Sequence, residues 1–251
     1  MTERDTTQPT LLAPAWTVPV NVGACFTTRL GGVSSAPWDS FNLASHVGDE
    51  PGAVAENRAR LMRALGLDTP PCWLEQVHGV EVLRLTAPIA DRRADAAVTA
   101  VPGLACVVMV ADCVPLLLCS RDGREVAAVH AGWRGLAGGI IARAVAAFRA
   151  PPASLLAWIG PCIGATAYVV GNDVRSALCA VTPDAGTCFA RAPAGWHCDL
   201  AALAARQLAG AGVGAWTSAG ACVHADAAHY YSYRRDGRTG RMAALIWLKS
   251  P

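Results

Sequence analysis

Lysine is almost missing from this 251-residue chain: it occurs once, at Lys249, against twenty arginines. The formal net charge is +2, and charged residues make up 16% of the sequence. No strong field of either sign is available to gather nucleic acid or an anionic membrane, and neither is expected as a partner. Arginine in place of lysine along a whole chain reads first as a compositional bias; bidentate anion binding by its planar fork concerns a few positions at most. Aromatic residues are scarce, at 6%. The longest uninterrupted apolar run, Leu104 to Ala111, is far short of the ~20 residues that a membrane-crossing helix needs. Met1 to Thr10 is polar and lacks the apolar stretch of a secretory leader, so the expected compartment is the cytoplasm. There is no Cys-x-x-Cys pair, no His-Glu-x-x-His run and no His-x-His pair among the six histidines. Local zinc-finger and zincin patterns are thereby excluded.

Cysteine, in contrast, is plentiful, with ten residues. The even count would permit a disulfide framework. The chain length, the missing leader and the grouping of Cys106, Cys113 and Cys119 in one apolar stretch favour free thiols packed in a core. A chain of this length suits one large α/β domain and buries a full core without staples. Residues 1–15, with Pro9 and Pro14, read as a loose tail, and residues 16–251 as a single catalytic domain. A strand is expected over Val22 to Phe26, followed by a turn at Gly31-Gly32. A helix is expected from Pro51, capped by Asp49 and stopped at Gly66. Strands over Cys72 to Val77 and Val80 to Leu85 are expected to join at Gly79. The apolar run Leu104 to Val110 breaks at Ala111-Asp112-Cys113 and resumes at Leu116 to Cys119; Pro115 argues against one continuous central strand. Asp122-Gly123 marks a hairpin into Glu125 to Val129. A helix to about Phe148 follows the glycine-rich stretch Gly132 to Gly139. Leu155 to Ile159 and Ala243 to Leu248 read as strands, Asp173 to Ala180 and Asp199 to Leu208 as helices. Together these indicate α/β layers: a single domain with a mixed β-sheet and flanking helices. No fixed-period repeat is present.

Three segments share one pattern, an apolar strand that stops where a metal-competent side chain meets a turn residue. They are Trp73 to Gly79 with His78, Val110 to Pro115 with Cys113, and Val129 to Gly135 with His130. Strand ends are where α/β folds place their sites. Two imidazoles and one thiolate make an open zinc site, the fourth position left to water or substrate. Zinc would acidify a bound water or polarise a bound group, and this donor set suits it better than magnesium or calcium. The separations of 35 and 17 residues match no local zinc pattern. On spacing alone, a satisfied core histidine and a buried structural cysteine are the stronger explanation at each position.

Gln76-Val77-His78-Gly79, Ala111-Asp112-Cys113-Val114-Pro115 and His130-Ala131-Gly132-Trp133-Arg134-Gly135 together resemble the YfiH-type family of laccase-domain proteins. These have been named polyphenol oxidases and, more recently, purine nucleoside phosphorylases. The likeness extends to Thr27–Ser34, Ser45–Asp49, Ile159–Gly164 and Tyr231–Arg241, nearly the whole chain after the first twenty residues. The resemblance implies that His78, Cys113 and His130 take the zinc-ligand positions. It also implies phosphorolysis of adenosine, inosine, guanosine and methylthioadenosine, with deamination of adenosine beside it. The implied partners are purine nucleosides and phosphate. The older name implies copper-dependent oxidation of phenols. A multicopper oxidase would need many more histidines than six and clustered His-x-His pairs, so zinc is expected ahead of copper.

Asp112 joins Cys113 and His130 in the expected catalytic set, either orienting a histidine from behind or accepting backbone N–H groups at the strand break. Arg29, beside Gly31-Gly32, is expected to clamp phosphate; a solvated arginine on a surface turn explains it equally well. Asn42 and His46 are candidates for ribose or phosphate, or for ordering a loop, and His46 could serve as an acid or base near neutrality. Arg134 and Arg58 are further phosphate candidates, although Arg58 lies on a helix where solvated charge is the usual reason. Cys162 is expected to pack near the site without touching metal. His197, His224 and His229 are read as structural, and Tyr231–Arg241 as a solvated, charged turn. Val169 follows Tyr168 where the family leads one to expect an acidic residue. Two rival functions use the same residues: a cysteine hydrolase or amidase with Cys113 as nucleophile and His130 as base, including hydrolysis of peptidoglycan precursors, and a non-catalytic zinc-binding protein. Nothing in the sequence specifies an oligomeric state.

Overall fold

Strands without polar alternation need cover on both faces, and the apolar runs of this chain obtain it from one another and from helices. The structure is a computed structural model and describes residues 8–88 and 92–250. In chain order the elements begin with Leu11–Leu12 (β1), Val22–Thr27 (β2), Pro51–Leu65 (α1), Leu74–Glu75 (β3), Val82–Leu85 (β4), Arg92–Arg93 (β5) and Ala96–Thr99 (β6). Then come Cys106–Val110 (β7), Val114–Ser120 (β8), Val126–Ala131 (β9), Trp133–Gly138 (α2), Ile140–Ala146 (α3) and Leu155–Ile159 (β10). The remainder are Val169–Val170 (β11), Asn172–Val181 (α4), Phe189–Ala192 (β12), Gly195–Cys198 (β13), Leu200–Gly210 (α5), Ala215–Ser218 (β14), Tyr233–Asp236 (α6) and Met242–Leu248 (β15).

The α/β class and the flanking helices are as expected, and the mixed sheet is the six-stranded one, ordered β14-β10-β8-β9-β6-β4. Its outer pairs β10–β14 and β4–β6 are parallel and the rest antiparallel. A second, four-stranded sheet, β1-β2-β15-β7, is antiparallel throughout. The two sheets share a core. Leu117, Cys119, Val126 and Ala128 of one meet Phe26, Val108, Ala244 and Ile246 of the other. Their alternate neighbours Leu116, Leu118 and Val129 face Leu136, Ile140 and Leu203 of α2, α3 and α5. On the far side, Cys25, Val107 and Leu245 pack with Leu61 of α1. The order of layers is therefore helix, sheet, sheet, helices. Each central strand is buried on both faces, which is why its apolar run is unbroken. Among the described residues no helix is long and apolar enough to cross a membrane.

Several local expectations are corrected. Of the loose tail expected over residues 1–15, residues 1–7 lie outside the described residues. Leu11 and Leu12 pair with Thr27 and Phe26, and Thr28 donates to the Thr10 carbonyl through both its amide and its hydroxyl. Backbone pairing binds this part of the tail, and apolar periodicity does not reveal it. Asp49 does not cap α1, whose N-cap is Glu50; the Asp49 carboxylate accepts instead from Ser34 Oγ at 2.6 Å and Asn42 Nδ2 at 2.9 Å. Gly66 stops α1 as expected, in the left-handed region at φ +62°. The strands flanking Gly79 form no hairpin, since β3 pairs with β5 and β4 with β6, both parallel. The glycine-rich stretch is itself the helix α2, and Gly139, at φ +83°, turns the chain into α3. The break at 111–113 is where the chain leaves the four-stranded sheet (β7) for the six-stranded one (β8). Pro115 nevertheless lies inside β8, opposite His130. It falls beyond the last β8–β10 pair, Leu116–Ile159, where its missing N–H interrupts no ladder.

Candidate metal centre

The crossing between sheets places Cys113 at the entrance of β8, and the β8–β9 hairpin returns the chain so that His130 faces it from β9. His78 arrives from the loop after β3. The ligand atoms of His78, Cys113 and His130 all lie within 4.8 Å of one another. Cys113 Sγ is 3.9 Å from His78 Nε2. The two imidazole rings stand edge to face, with centroids 4.8 Å apart and planes at 77°. His78 at φ +58° and Asp112 at φ +115° are two of three non-glycine residues with positive φ among the described residues. Such conformations cost about 1–3 kcal/mol each and persist where surrounding contacts enforce them. The enforcing contacts are visible at both positions.

At His78 the contact is Asp95, fully buried at the start of β6. Its Oδ2 accepts from Val77 N at 3.2 Å and Gly79 N at 2.6 Å, and its Oδ1 accepts from His78 N at 2.9 Å. The same Oδ1 lies 2.8 Å from His130 Nδ1. One carboxylate thus holds the backbone of one donor and the ring of another, leaving His130 Nε2 toward Cys113. At Asp112 the side chain accepts from Ser232 Oγ at 2.6 Å and Arg234 N at 2.7 Å. The expectation that Asp112 orients a histidine is therefore corrected. Its oxygens reach forward to α6, and Asp95 does the orienting. Asp112 still lines the cavity described below, and burial pushes its carboxyl up.

Burial alone would raise the Cys113 thiol, but His130 and His78 outweigh it and bring it down to about 6. Burial alone would lower His130; Cys113 and Asp95 outweigh that and hold it up at about 9. Burial opposes the Asp95 charge too, yet the hydrogen bond from His130 leaves its carboxyl below the usual range. These groups favour a thiolate beside an imidazolium, the state of a thiol ready to bind a cation or attack an electrophile. Gly132 keeps the space beside the donors clear. A Cβ there would lie 3.0 Å from Cys113 Sγ and 3.1 Å from His78 Cδ2. An ion roughly 2.0–2.3 Å from each N or S donor requires only a small closing of the three side chains.

The donors form the floor of a cavity of about 380 Å³, walled by His46, Gln76, Trp133, Arg134, Tyr168, Tyr233, Arg234 and Arg241. Gln76 is locked in place, exchanging hydrogen bonds with the Met109 backbone at 2.7 and 2.8 Å. Arg134 stacks on Trp133 at 4.4 Å and Arg234 on Tyr168 at 4.8 Å. Arg241 donates to the Thr239 and Gly240 carbonyls. Among the described residues no carboxylate lies within ion-pair distance of these three guanidinium groups. Burial, Arg241 and Arg58 all push the His46 imidazole down, which keeps it neutral near pH 7. Burial pushes the Tyr168 phenol well up, so it retains its proton.

Of the sequence-predicted residues the structure brings together His46, His78, Asp112, Cys113, His130 and Arg134. Arg29 and Asn42 are corrections. Arg29 is spent on Asp39, on the Ala227 carbonyl and on the Tyr231 ring, and it does not line the cavity. Asn42 is fully buried, with its amide donating to Ala44 O and Asp49 and its carbonyl accepting from Ala44 N and Arg241 N. No hydrogen-bonding capacity remains for a ribose or phosphate. Arg58 is likewise held by the Leu43 carbonyl and the Trp73 ring. Cys162 packs in the core, as expected. Sequence reasoning missed Asp95, Gln76, Tyr168, Tyr233, Arg234 and Arg241. The Tyr231–Arg241 segment, expected to be a solvated turn, is the short helix α6 and its exit, and it forms one cavity wall. Its interleaved tyrosines and arginines were the available signal; for Asp95 it was a lone carboxylate among alanines in an apolar strand.

The family described as multi-copper polyphenol oxidoreductase laccase matches residues 23–249. An Escherichia coli K12 protein named purine nucleoside phosphorylase YfiH is 48% identical over 239 residues, 95% of this chain and 98% of its own length. A Pseudomonas aeruginosa protein named purine nucleoside phosphorylase is also 48% identical, over 240 residues and the same shares. Among solved structures, a Neisseria meningitidis protein of the DUF152 family has a TM-score of 0.90 at 44% identity, covering 96% of this chain and 99% of that one. YlmD from Geobacillus stearothermophilus has a TM-score of 0.86 at 31% identity, with 92% and 93% covered.

Proposed function

Because this chain belongs to the YfiH-type family, whose family description is multi-copper polyphenol oxidoreductase laccase, we propose that it is a zinc-dependent purine nucleoside phosphorylase. Its substrates in this reading are adenosine, inosine, guanosine and methylthioadenosine, with adenosine deamination as a second activity. One observation carries the reading: a His-Cys-His donor group and three guanidinium groups without carboxylate partners share one cavity. The donor chemistry suits zinc, since His78 and His130 offer nitrogen, Cys113 offers a thiol already inclined to lose its proton, and Gly132 leaves room. Copper in the number that the family description names would need further ligands; no other group of three His, Cys, Asp or Glu is found among the described residues. When bound, zinc supplies Lewis-acid stabilisation of developing negative charge.

The protein's own residues do the rest. Arg134, Arg234 and Arg241 gather a phosphate dianion at the cavity mouth and present one of its oxygens to C1′ of the nucleoside. That oxygen forms the new bond to C1′ as the C1′–N9 bond breaks; the electron pair of the broken bond leaves with the purine, which takes up the proton released by the new phosphate ester. Trp133 and Tyr233 offer aromatic faces for the base, and Tyr168, kept protonated by burial, offers an O–H donor. Asp112, by accepting the Arg234 amide, fixes where that arginine begins. Elemental analysis together with adenosine turnover, with and without phosphate, tests the proposal. About one zinc per chain and free adenine released only with phosphate is the expected result; inosine formed without phosphate adds the deaminase. A metal-free, inactive protein sinks it.

A second reading rests on the relay Cys113–His130–Asp95, in which a thiol, a base and an orienting carboxylate stand in line. Nucleophile, base and orienter is the arrangement of metal-independent cysteine hydrolases and amidases, with peptidoglycan precursors as one substrate class. Alkylation of Cys113 by iodoacetamide that persists after stoichiometric zinc loading would favour it.

A further inference from the structure

Away from the metal centre, two pairs of cysteines face each other across isolated parallel bridges: Cys72 with Cys106, and Cys162 with Cys222. Cys106, Cys162 and Cys222 are free thiols. Residues directly opposite in bonded strands lie about 4.8 Å apart, inside the roughly 4.4–6.8 Å between Cα atoms that a disulfide spans. The second bridge is held on both sides. Cys162 N donates to the Ala221 carbonyl at 3.3 Å and Val223 N to the Cys162 carbonyl at 2.9 Å, so the two cysteines stay in register.

Access separates the pairs. Cys72 and Cys106 are 1% and 0% exposed. Cys162 is buried too, but Cys222 is only half-buried, and both line a cavity of about 360 Å³ whose walls include Asp199 and Trp216. That volume is within the roughly 300–1,000 Å³ of small-molecule sites. Cys222 Sγ already accepts the Gly164 amide N–H at 3.1 Å. Gly164 is what makes the approach possible, since a Cβ at that position would stand 2.9 Å from the sulfur.

We propose that Cys162 and Cys222 form a thiol–disulfide exchange site for a small-molecule disulfide, R–S–S–R. The Cys222 thiolate attacks one sulfur of the reagent; the Cys222–S–S–R bond forms, the reagent's S–S bond breaks, and the departing thiolate takes up the proton that Cys222 lost. Cys162 then attacks the Cys222 sulfur, forming the Cys162–Cys222 disulfide and releasing the second R–SH. Two cysteines give up two electrons and two protons, and one disulfide becomes two thiols. The linked strands border the metal centre. Ile163 N donates to the Asp112 carbonyl at 2.9 Å, next to Cys113, and the Val223 and His224 carbonyls each hold Arg235 at 2.9 Å in α6. The oxidation state of the pair is thus joined mechanically to two walls of the nucleoside cavity, whatever reaction occurs there.

The test is to incubate the zinc-loaded full chain with glutathione disulfide and map its cysteines by non-reducing mass spectrometry. The expected product has lost two hydrogens and contains one cross-linked peptide pair, Cys162 with Cys222, while Cys72 and Cys106 stay reduced. Cys162→Ser should stop at the mixed disulfide on Cys222, and Cys222→Ser should leave Cys162 unmodified. A cross-link between other cysteines, a wild-type protein that stops at the mixed disulfide or stays fully reduced, or a Cys162→Ser protein with no mixed disulfide on Cys222 overturns the proposal. The wild-type map requires no variant to fold.

Discussion

Cys113, His130 and Asp95 stand on or beside strands covered on both faces, whereas His46, Arg134, Arg234 and Arg241 come from loops and short helices around the cavity mouth. The floor is held by backbone. Asp95 takes three consecutive amides as well as the His130 ring, and the β8–β9 ladder sets His130 opposite Pro115. The mouth is held by stacking, with guanidinium groups laid on Trp133 and Tyr168. Backbone contacts fix positions to tenths of an ångström in a medium where charge interactions are strong; stacked, partly exposed arginines keep their direction yet can follow a ligand. In the proposed function, the floor carries the chemistry and the mouth the capture of phosphate.

The harshest way to test that division is His130→Ala. Zinc stoichiometry should fall to near zero and phosphorolysis by at least roughly 10²–10³-fold, the loss seen when a group stabilising transition-state charge is removed; elemental analysis and free-base assays read both. Asp95→Asn should weaken zinc binding by about 10–100-fold, as for other partners that orient ligating histidines. Competition with a chromophoric chelator measures this, and the phosphate KM should stay put. A phosphate KM that moved as far as the zinc affinity would erase the distinction between floor and mouth. Arg234→Ala or Arg241→Ala should do the reverse, raising the phosphate KM about tenfold, equivalent to roughly 1.5 kcal/mol for a charged hydrogen bond, with zinc content unchanged.

A pH series on the chelator-stripped protein sharpens the description of the floor. His130, raised from 6.5 to about 9, contributes stability that is complete below about 6.5 and is lost as pH climbs through about 9. Cys113, lowered from 9.0 to about 6, contributes stability that is complete above about 9 and is lost as pH falls through about 6. The thiolate–imidazolium pair therefore occupies the window from about 6 to 9. Iodoacetamide should label Cys113 with a midpoint near pH 6, read by peptide mass spectrometry. Smallest of all on function should be Arg29→Ala. Phosphate KM and zinc content should not change, while thermal unfolding shows a loss of about 1–3 kcal/mol from unpaired carbonyls.

How far the sequence reveals this protein depends on whether a residue's role is local. The strand Leu155–Ile159 and the helix end at Gly66 follow from apolar runs and glycine, and the structure has them at those residues. The three donors were visible as polar residues where apolar strands stop. The division into two sheets was not, because a run buried on both faces looks the same whether a helix or another sheet covers it. Asp95 escaped notice because its meaning lies in three amides sixteen to eighteen residues earlier and one ring thirty-five residues later. Arg29 and Asn42 misled for the opposite reason. Their side chains suit phosphate and ribose, but partners distant in sequence, Ala227 for one and Arg241 for the other, had already claimed them. Side-chain chemistry says what a residue is able to bind, and only topology says whether it is free to do so.

The donors come from three chain segments, 35 and 17 residues apart, and each is aimed by strand pairing or by Asp95 rather than by its neighbours in sequence. An unfolded chain offers these three groups scattered over long loops, whose closure carries an entropic penalty that the metal alone would have to meet. In a zinc finger the ion gathers the chain around itself; here a large apolar core already has done so. In the proposed function the order of biogenesis follows: the polypeptide folds first, and the ion binds last, into a finished socket.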